Sequence, residues 1–365
     1  MYIVIITSVI ALLLTYLETK GSMRNGMMCG FILVTILGAI HFDYGNDYMS
    51  YYNLYHDIVK QSFNLDNIMS GVLFKEPGWI LLYYAFSYFG GFFMFVAVIS
   101  VVQNIIIYKY IKREVPKNLW PSSVFVYLFC MSYFLMSFTM LRQFFVMCIF
   151  LGMWPYIKSK KWWIPLIVLF LSSFIHSSAR LLIPFSFMSF IPMKKNKVVT
   201  IAFAIIIIAF WIGGSWINDM IEQVITVSDS EAYVVTYGNN DVSAMKLGVG
   251  FVIQEIPLLV GLYYLLSSKY AEESQKQLVL LSLIGFAIIP LNSIFPMIGR
   301  LGGYFGIFQI ASVPIIYYSI RNVSIRNILV MLFVLITLYD YILFFSPGSV
   351  FAPHYQNFHT IFSVL

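Results

Sequence analysis

The sequence predicts an all-α polytopic membrane protein of about twelve transmembrane helices, and three observations carry that expectation. Of 365 residues, 60% are hydrophobic and only 10% charged, against ~25% charged in a soluble globular domain. Apolar runs of roughly 16 to 22 residues recur along the whole length, each close to the ~20 a helix needs to cross the hydrocarbon core. Basic residues concentrate in every second connection between those runs. Because lipid leaves no partner for an open backbone N–H or C=O, runs of this length mean helices.

Taken in order, the expected spans cover residues 2–17, 27–41, 92–110, 119–138, 143–157, 162–176, 180–192, 198–214, 248–267, 278–297, 302–320 and 327–345. The first, MYIVIITSVIALLLTYL, lacks the basic leader and small-x-small cleavage site of a signal peptide, so it is read as a span. The connections ETKGSMRNG, YKYIKREVPKN, IKSKKWW, MKKNK, SSKYAEESQKQ and SIRNVSIR are all basic and hold 16 of the 22 Lys and Arg but 4 of the 16 acids. The positive-inside rule puts those six in the cytoplasm and both termini outside. The net charge of +6 therefore reports orientation and gives no support to nucleic-acid binding.

The chain reads as a single integral membrane domain, 1–365, with two longer outer segments. One, 42–91, contains GWILLYYAFSYFGG, too short to span and expected as a re-entrant or amphipathic outer-face helix. The other, 215–247, is polar. Both are expected to cover an active site, since loops this long are usually functional. Cys29, Cys130 and Cys148 fall in apolar runs without ligand spacing, so they read as packing residues and no metal is expected.

The chemistry concentrates on the outer side. The stretch HFDYGNDYMSYY, residues 41–52, emerges from the second span; Asp47, Tyr51, Leu54, Tyr55 and Ile58 follow helical spacing, so an interfacial helix is expected after Gly45. Asp43 and Asp47 then present two carboxylates to one site, or are solvated acids in a tyrosine-rich interfacial belt. Arg142 in SFTMLRQFF, Arg180 in FIHSSARLL and Arg300 in FPMIGRLGGYFG sit near outer span ends inside strongly apolar sequence. A cation there costs ~2.5–3.5 kcal/mol toward the bilayer centre and so tends to mark a cavity. Guanidinium suits phosphate bidentately; the alternative is that each arginine caps carbonyls or pairs with an acid such as Asp340, Glu255 or Glu76. His176, four residues before Arg180, has the chemistry of a general base. Gly302, Gly303 and Gly306 suggest close helix packing, and no nucleotide loop is present.

These motifs, in this order, resemble the EpsG family of bacterial polysaccharide-assembly proteins, similar to the Wzy O-antigen and capsule polymerases. HFDYGNDYMSYY resembles its R-x-D-x-G-x-D-Y-x-x-Y signature, with His41 where the arginine usually stands; EPGW, LRQ, FIHSSA, GRLGGY and PHYQNF follow. The resemblance implies a glycosyltransferase of the bacterial cytoplasmic membrane, its active site facing the periplasm or cell exterior. It would move a growing glycan from undecaprenyl pyrophosphate to a sugar hydroxyl of an incoming lipid-linked repeat unit, with no cofactor and no nucleotide. Expected partners are those lipid-linked units, membrane lipid, a chain-length regulator and a flippase of the same pathway. On this reading Arg142, Arg300 and Arg180 bind pyrophosphate. Asp47 is the first candidate base, with His176 and Asp43 behind it. His41, Tyr48, Tyr51, Tyr52, Glu76 and Tyr304 meet the substrate. A lipid-linked oligosaccharide flippase, an O-antigen ligase and a membrane acyltransferase are the alternatives.

Overall fold

The computed structural model describes residues 1–193, 196–212, 253, 255–268, 271–288 and 296–363; at 196, 210, 212 and 296–300 only the backbone is described. The outer loop 215–247 expected above lies outside these residues. Two compact units are formed, one by Met1–Met188 with Ile320–Leu365 and the other by Ser189–Ser319.

The first unit begins with α1 (Tyr2–Thr19), α2 (Gly26–Ile40), the two-residue strand β1 (His41–Phe42), α3 (Tyr48–Val59), α4 (Leu65–Met69), α5 (Pro77–Ser87) and α6 (Gly91–Glu114). It continues with α7 (Trp120–Phe129), α8 (Phe134–Ser137), α9 (Leu141–Lys158), α10 (Trp163–Ser172) and a 3-10 stretch, Ser177–Phe190. In the second unit lie α11 (Asn196–Ile212), α12 (Ile256–Ser267), α13 (Glu273–Ile288), α14 (Pro296–Gly306) and α15 (Gln309–Tyr318). The chain then returns to the first unit with α16 (Val323–Phe344), α17 (Ala352–Tyr355) and β2 (His359–Thr360). Among the described residues, three helices, α1, α6 and α16, are long and apolar enough to cross a membrane.

Small residues let the helices of the first unit close on one another. A Cβ on Gly30 would stand 2.9 Å from the Ala11 Cα, drawing α2 against α1, and the Ser100 hydroxyl donates to the Gly38 carbonyl at 2.7 Å to tie α6 to α2. This is the packing mode expected where lipid supplies no hydrophobic drive between helices. Above that seam α3, α5 and α6 share an aromatic cluster of Tyr48, Tyr51, Tyr55, Trp79, Tyr83, Phe92 and Phe95. The interfacial helix expected after Gly45 is α3, with Tyr51, Tyr55 and Ile58 buried as their spacing implies. The short apolar piece is α5, whose 11 residues reach about 16 Å and cannot span. In the second unit a Cβ on Gly285 would lie 2.7 Å from the Gly306 nitrogen, so the glycines of this region do pack helix on helix.

Among the described residues, three of the expected spans are broken or not α-helical, and the 162–176 run forms only the 10-residue α10. The 119–138 run is broken: α7 ends at Phe129, Cys130 turns extended, and α8 restarts at Phe134. Where the helix restarts the chain is held by protein: Tyr133, Phe134 and Leu135 are buried, and the Tyr355 hydroxyl donates to the Leu135 carbonyl at 2.9 Å. The 180–192 run is a 3-10 stretch rather than an α-helix and contains Pro184, which has no N–H to give. At ~2.0 Å rise per residue, its 14 residues still extend for about 28 Å. The 302–320 run is split between α14 and α15, directly after Gly306.

Candidate functional site

Glu76 organises the first half of the site. It precedes α5 at the N-cap position, with Pro77 in the first turn, yet its carboxylate does not cap that helix. Instead Oε2 accepts a hydrogen bond from Arg142 Nη1 at the start of α9. Oε1 accepts from His176 Nδ1 at 2.6 Å and from the Ser177 backbone N–H at 2.9 Å. Glu76 is 5% exposed. Burial pushes its carboxyl up, but the His176 hydrogen bond, the charges of Arg142 and His176 and the Ser177 N–H outweigh burial and hold it below its ordinary value of 4.5. The Arg142 guanidinium also lies over the rings of Phe74, at 4.8 Å, and Tyr51, at 5.4 Å, a placement favourable to a delocalised cation.

What lets Glu76 reach is Gly78. Its N–H donates to the Phe174 carbonyl at 2.8 Å, and a Cβ there would sit 2.9 Å from that carbonyl carbon and oxygen. The EPGW turn thus rests directly on the FIHSSA turn. Gly78→Val is expected to lower stability by about 1–3 kcal/mol through overpacking, read as an earlier thermal transition in detergent; an unchanged transition refutes the contact.

Because the folded carboxyl of Glu76 titrates below its unfolded value, its contribution to stability is complete above about pH 4.5 and is lost as pH falls through the lower folded pKa. Glu76→Gln should therefore flatten the acid limb of a stability-versus-pH curve. An acid limb as steep in the variant as in the wild type excludes this carboxylate as its source.

The second half of the site is the 41–48 turn, packed against the C-terminal segment. His41 pairs with Thr360 and Phe42 with His359 in antiparallel register. Gly45 has φ +114°, its N–H meets the His354 carbonyl at 3.1 Å, and the Asp47 N–H donates to Thr139 Oγ1 at 3.0 Å. Tyr44 sets its ring among Phe138, Tyr355 and Phe358. The first and last motifs of the chain are thereby one substructure.

Of the residues singled out in sequence, Glu76, Arg142 and His176 meet on one carboxylate, with Tyr51 beneath the guanidinium. Asp43 and Asp47 are both exposed, Asp43 at φ +47°. His41 is 1% exposed, its ring between those of Tyr48 and Phe138 and its Nδ1 at 2.7 Å from the Gly38 carbonyl. Tyr48 is fully buried with its hydroxyl on the His41 carbonyl, whereas Tyr52 is half-buried against Phe42 and Phe93. Arg180 is exposed. Arg300 and Tyr304 belong to the other unit; Tyr304 is fully buried and the Arg300 side chain lies outside the described residues. Thr139, Ser177 and Phe74 were not singled out; their signal was position alone, each within three residues of Arg142, His176 or Glu76.

A polarity runs along α9. Arg142 is its second residue; its last, Lys158, pairs with Glu114 at the end of α6 at 3.0 Å. The sixteen intervening steps put about 24 Å between the Glu76 cluster and the basic end.

The model of the EpsG family matches residues 25–357, nearly the whole chain. The chain belongs to the EpsG family. These are Wzy-like polysaccharide polymerases, and an all-α membrane protein with a role in polysaccharide polymerisation is what membership implies here. No curated protein and no solved structure matches the sequence. Within this EpsG protein, the match runs from before HFDYGNDYMSYY to the last residue but one of PHYQNF; five of the six motifs lie in the first unit and are joined there by the contacts above.

Proposed function

We propose that this EpsG protein polymerises a glycan on the outer face of the cytoplasmic membrane, taking the growing chain from undecaprenyl pyrophosphate and passing it to a sugar hydroxyl of an incoming lipid-linked unit. The observation that carries the reading is the meeting of EPGW, LRQ and FIHSSA on the buried Glu76, at the end of α9 opposite Lys158. The basic end matches the cytoplasmic side by the positive-inside rule, so the cluster belongs to the outer side.

The energy for transfer is already held in the glycosyl–pyrophosphate bond. What the protein must supply is stabilisation of the departing pyrophosphate and removal of the acceptor proton. Arg142 and Arg180 are assigned to the first task. Glu76 engages Arg142 through one nitrogen, Nη1, and the Arg142 side chain keeps 22% of its surface exposed. The carboxylates of Asp43 and Asp47 and the ring of Tyr52 are assigned to the sugar, where an aromatic body with a polar tip suits a glycan.

Purified protein in lipid, given a matched undecaprenyl-pyrophosphate-linked repeat unit and no nucleotide, should yield a ladder of multiples of that unit on a gel. Movement of the unit across sealed vesicles without a ladder would replace this reading with transport.

A further inference from the structure

We infer that His176 is the proton acceptor of the transfer and that Glu76 is its positioning residue, a carboxylate–imidazole pair 100 positions apart in sequence. This rests on the polymerase reading above and refines it, since sequence alone favours Asp47 for the base.

The argument is one of donors and acceptors. Oε1 of Glu76 accepts the Ser177 N–H as well as His176 Nδ1, and Oε2 accepts Arg142. An ionised carboxylate can only accept, so the Nδ1 position of His176 must carry its proton. In the neutral imidazole that leaves the lone pair on Nε2. The ring is 16% exposed while the carboxylate is 6% exposed, so the pair has a buried orienting end and a face that reaches the surface. Ser177 and the Gly78–Phe174 bond hold both turns in register. Asp47, by contrast, is exposed at the start of α3. Besides Glu76, the titratable groups that act on this cluster are Arg142 on α9, Tyr51 on α3 and Tyr83 on α5; Lys75 stands beside Glu76, Arg180 lies on the same 3-10 stretch as Ser177, and α10 carries none.

The step balances. The acceptor hydroxyl gives its proton to His176 Nε2 as its oxygen bonds the anomeric carbon of the donor glycan. The bond from that carbon to the pyrophosphate oxygen breaks, and its electron pair leaves with the lipid pyrophosphate. The imidazolium then returns its proton to that pyrophosphate or to water.

His176→Asn keeps an N–H near the Nδ1 position for Glu76 and removes Nε2, so it separates proton transfer from packing. In the lipid-reconstituted ladder assay it should lower kcat by about 10²–10⁴-fold, leave KM for the lipid-linked unit near that of wild type, and abolish the acidic limb of the pH–rate profile. Glu76→Gln, whose amide N–H can face Nδ1 and so favour the other tautomer, should lower kcat while leaving KM near that of wild type, and Glu76→Asp should restore part of the rate. Should His176→Asn fail to fold, the kcat and KM values of the two Glu76 variants carry the test. Wild-type turnover in His176→Asn, or wild-type kcat in Glu76→Gln, overturns the pair, as does loss of the acidic limb in Asp47→Asn instead. No ladder from the wild-type protein overturns the polymerase reading and the base assignment with it; a wild-type ladder with an unchanged His176→Asn variant overturns the base assignment alone.

Discussion

Arg142→Ala is expected to abolish polymer and to destabilise the fold at the same time. Removing one partner of a buried ion pair costs roughly 3–5 kcal/mol, because the other charge is left without compensation. Here the abandoned group is Glu76, 5% exposed, which would retain only His176 and Ser177 as donors. Arg142→Lys separates the two effects. Lysine restores a charge to the carboxylate but neither the planar fork nor the stacking over Phe74 and Tyr51. It should recover most of the stability and little of the polymer. Thermal unfolding in detergent and ladder length on a gel measure the two separately; normal chains from Arg142→Lys would show that charge alone suffices and remove the bidentate proposal.

Gly45→Val is the second large effect expected. At φ +114° a β-branched residue is strained, at about 1–3 kcal/mol. Independently, its Cβ would stand 2.7 Å from the Phe138 carbonyl oxygen and 3.1 Å from the Thr139 Cα, an overpacking cost of ~1–3 kcal/mol. Neither neighbour yields easily, since both are backbone. The 41–48 turn would lift from the α8–α9 junction, taking the Asp47–Thr139 bond and the β1–β2 pairing with it. The expected readout is faster hydrogen exchange at residues 41–48 and 359–360 together with loss of polymer. Wild-type protection at both segments would show that the turn and the C-terminal strand are not one unit.

Much of the architecture was open to reading from the residues. Runs such as 2–17, 92–110 and 327–345 became α1, α6 and α16, for the reason that an apolar chain in lipid must bond its own backbone and the helix does so within one segment. The α3 helix followed from the spacing of Asp47, Tyr51, Leu54, Tyr55 and Ile58, of which Tyr51, Tyr55 and Ile58 form the buried face that imposes the period. The breaks were not readable. Cys130 to Tyr133 looks as helical as its neighbours in composition; what holds the chain just after it is long-range, Tyr355, more than 200 residues later, donating to the Leu135 carbonyl and Phe138 and Thr139 meeting the 45–47 turn.

The site divides along the same line. Composition and position alone established that this is an apolar, helix-built chain in which a few arginines, acids and histidines stand out, since a charge in otherwise apolar sequence is expensive enough to mark itself. Which charge answers which was a different matter. Arg142 had three candidate acids, and His176 had no assigned partner. Residues 76, 142 and 176 are brought together only by the packing of α5, α9 and the turn after α10, with Gly78 allowing the last close approach. Hydrogen-bond partners depend on distances of about 3 Å, and distances between residues so far apart in sequence are set by the folded chain.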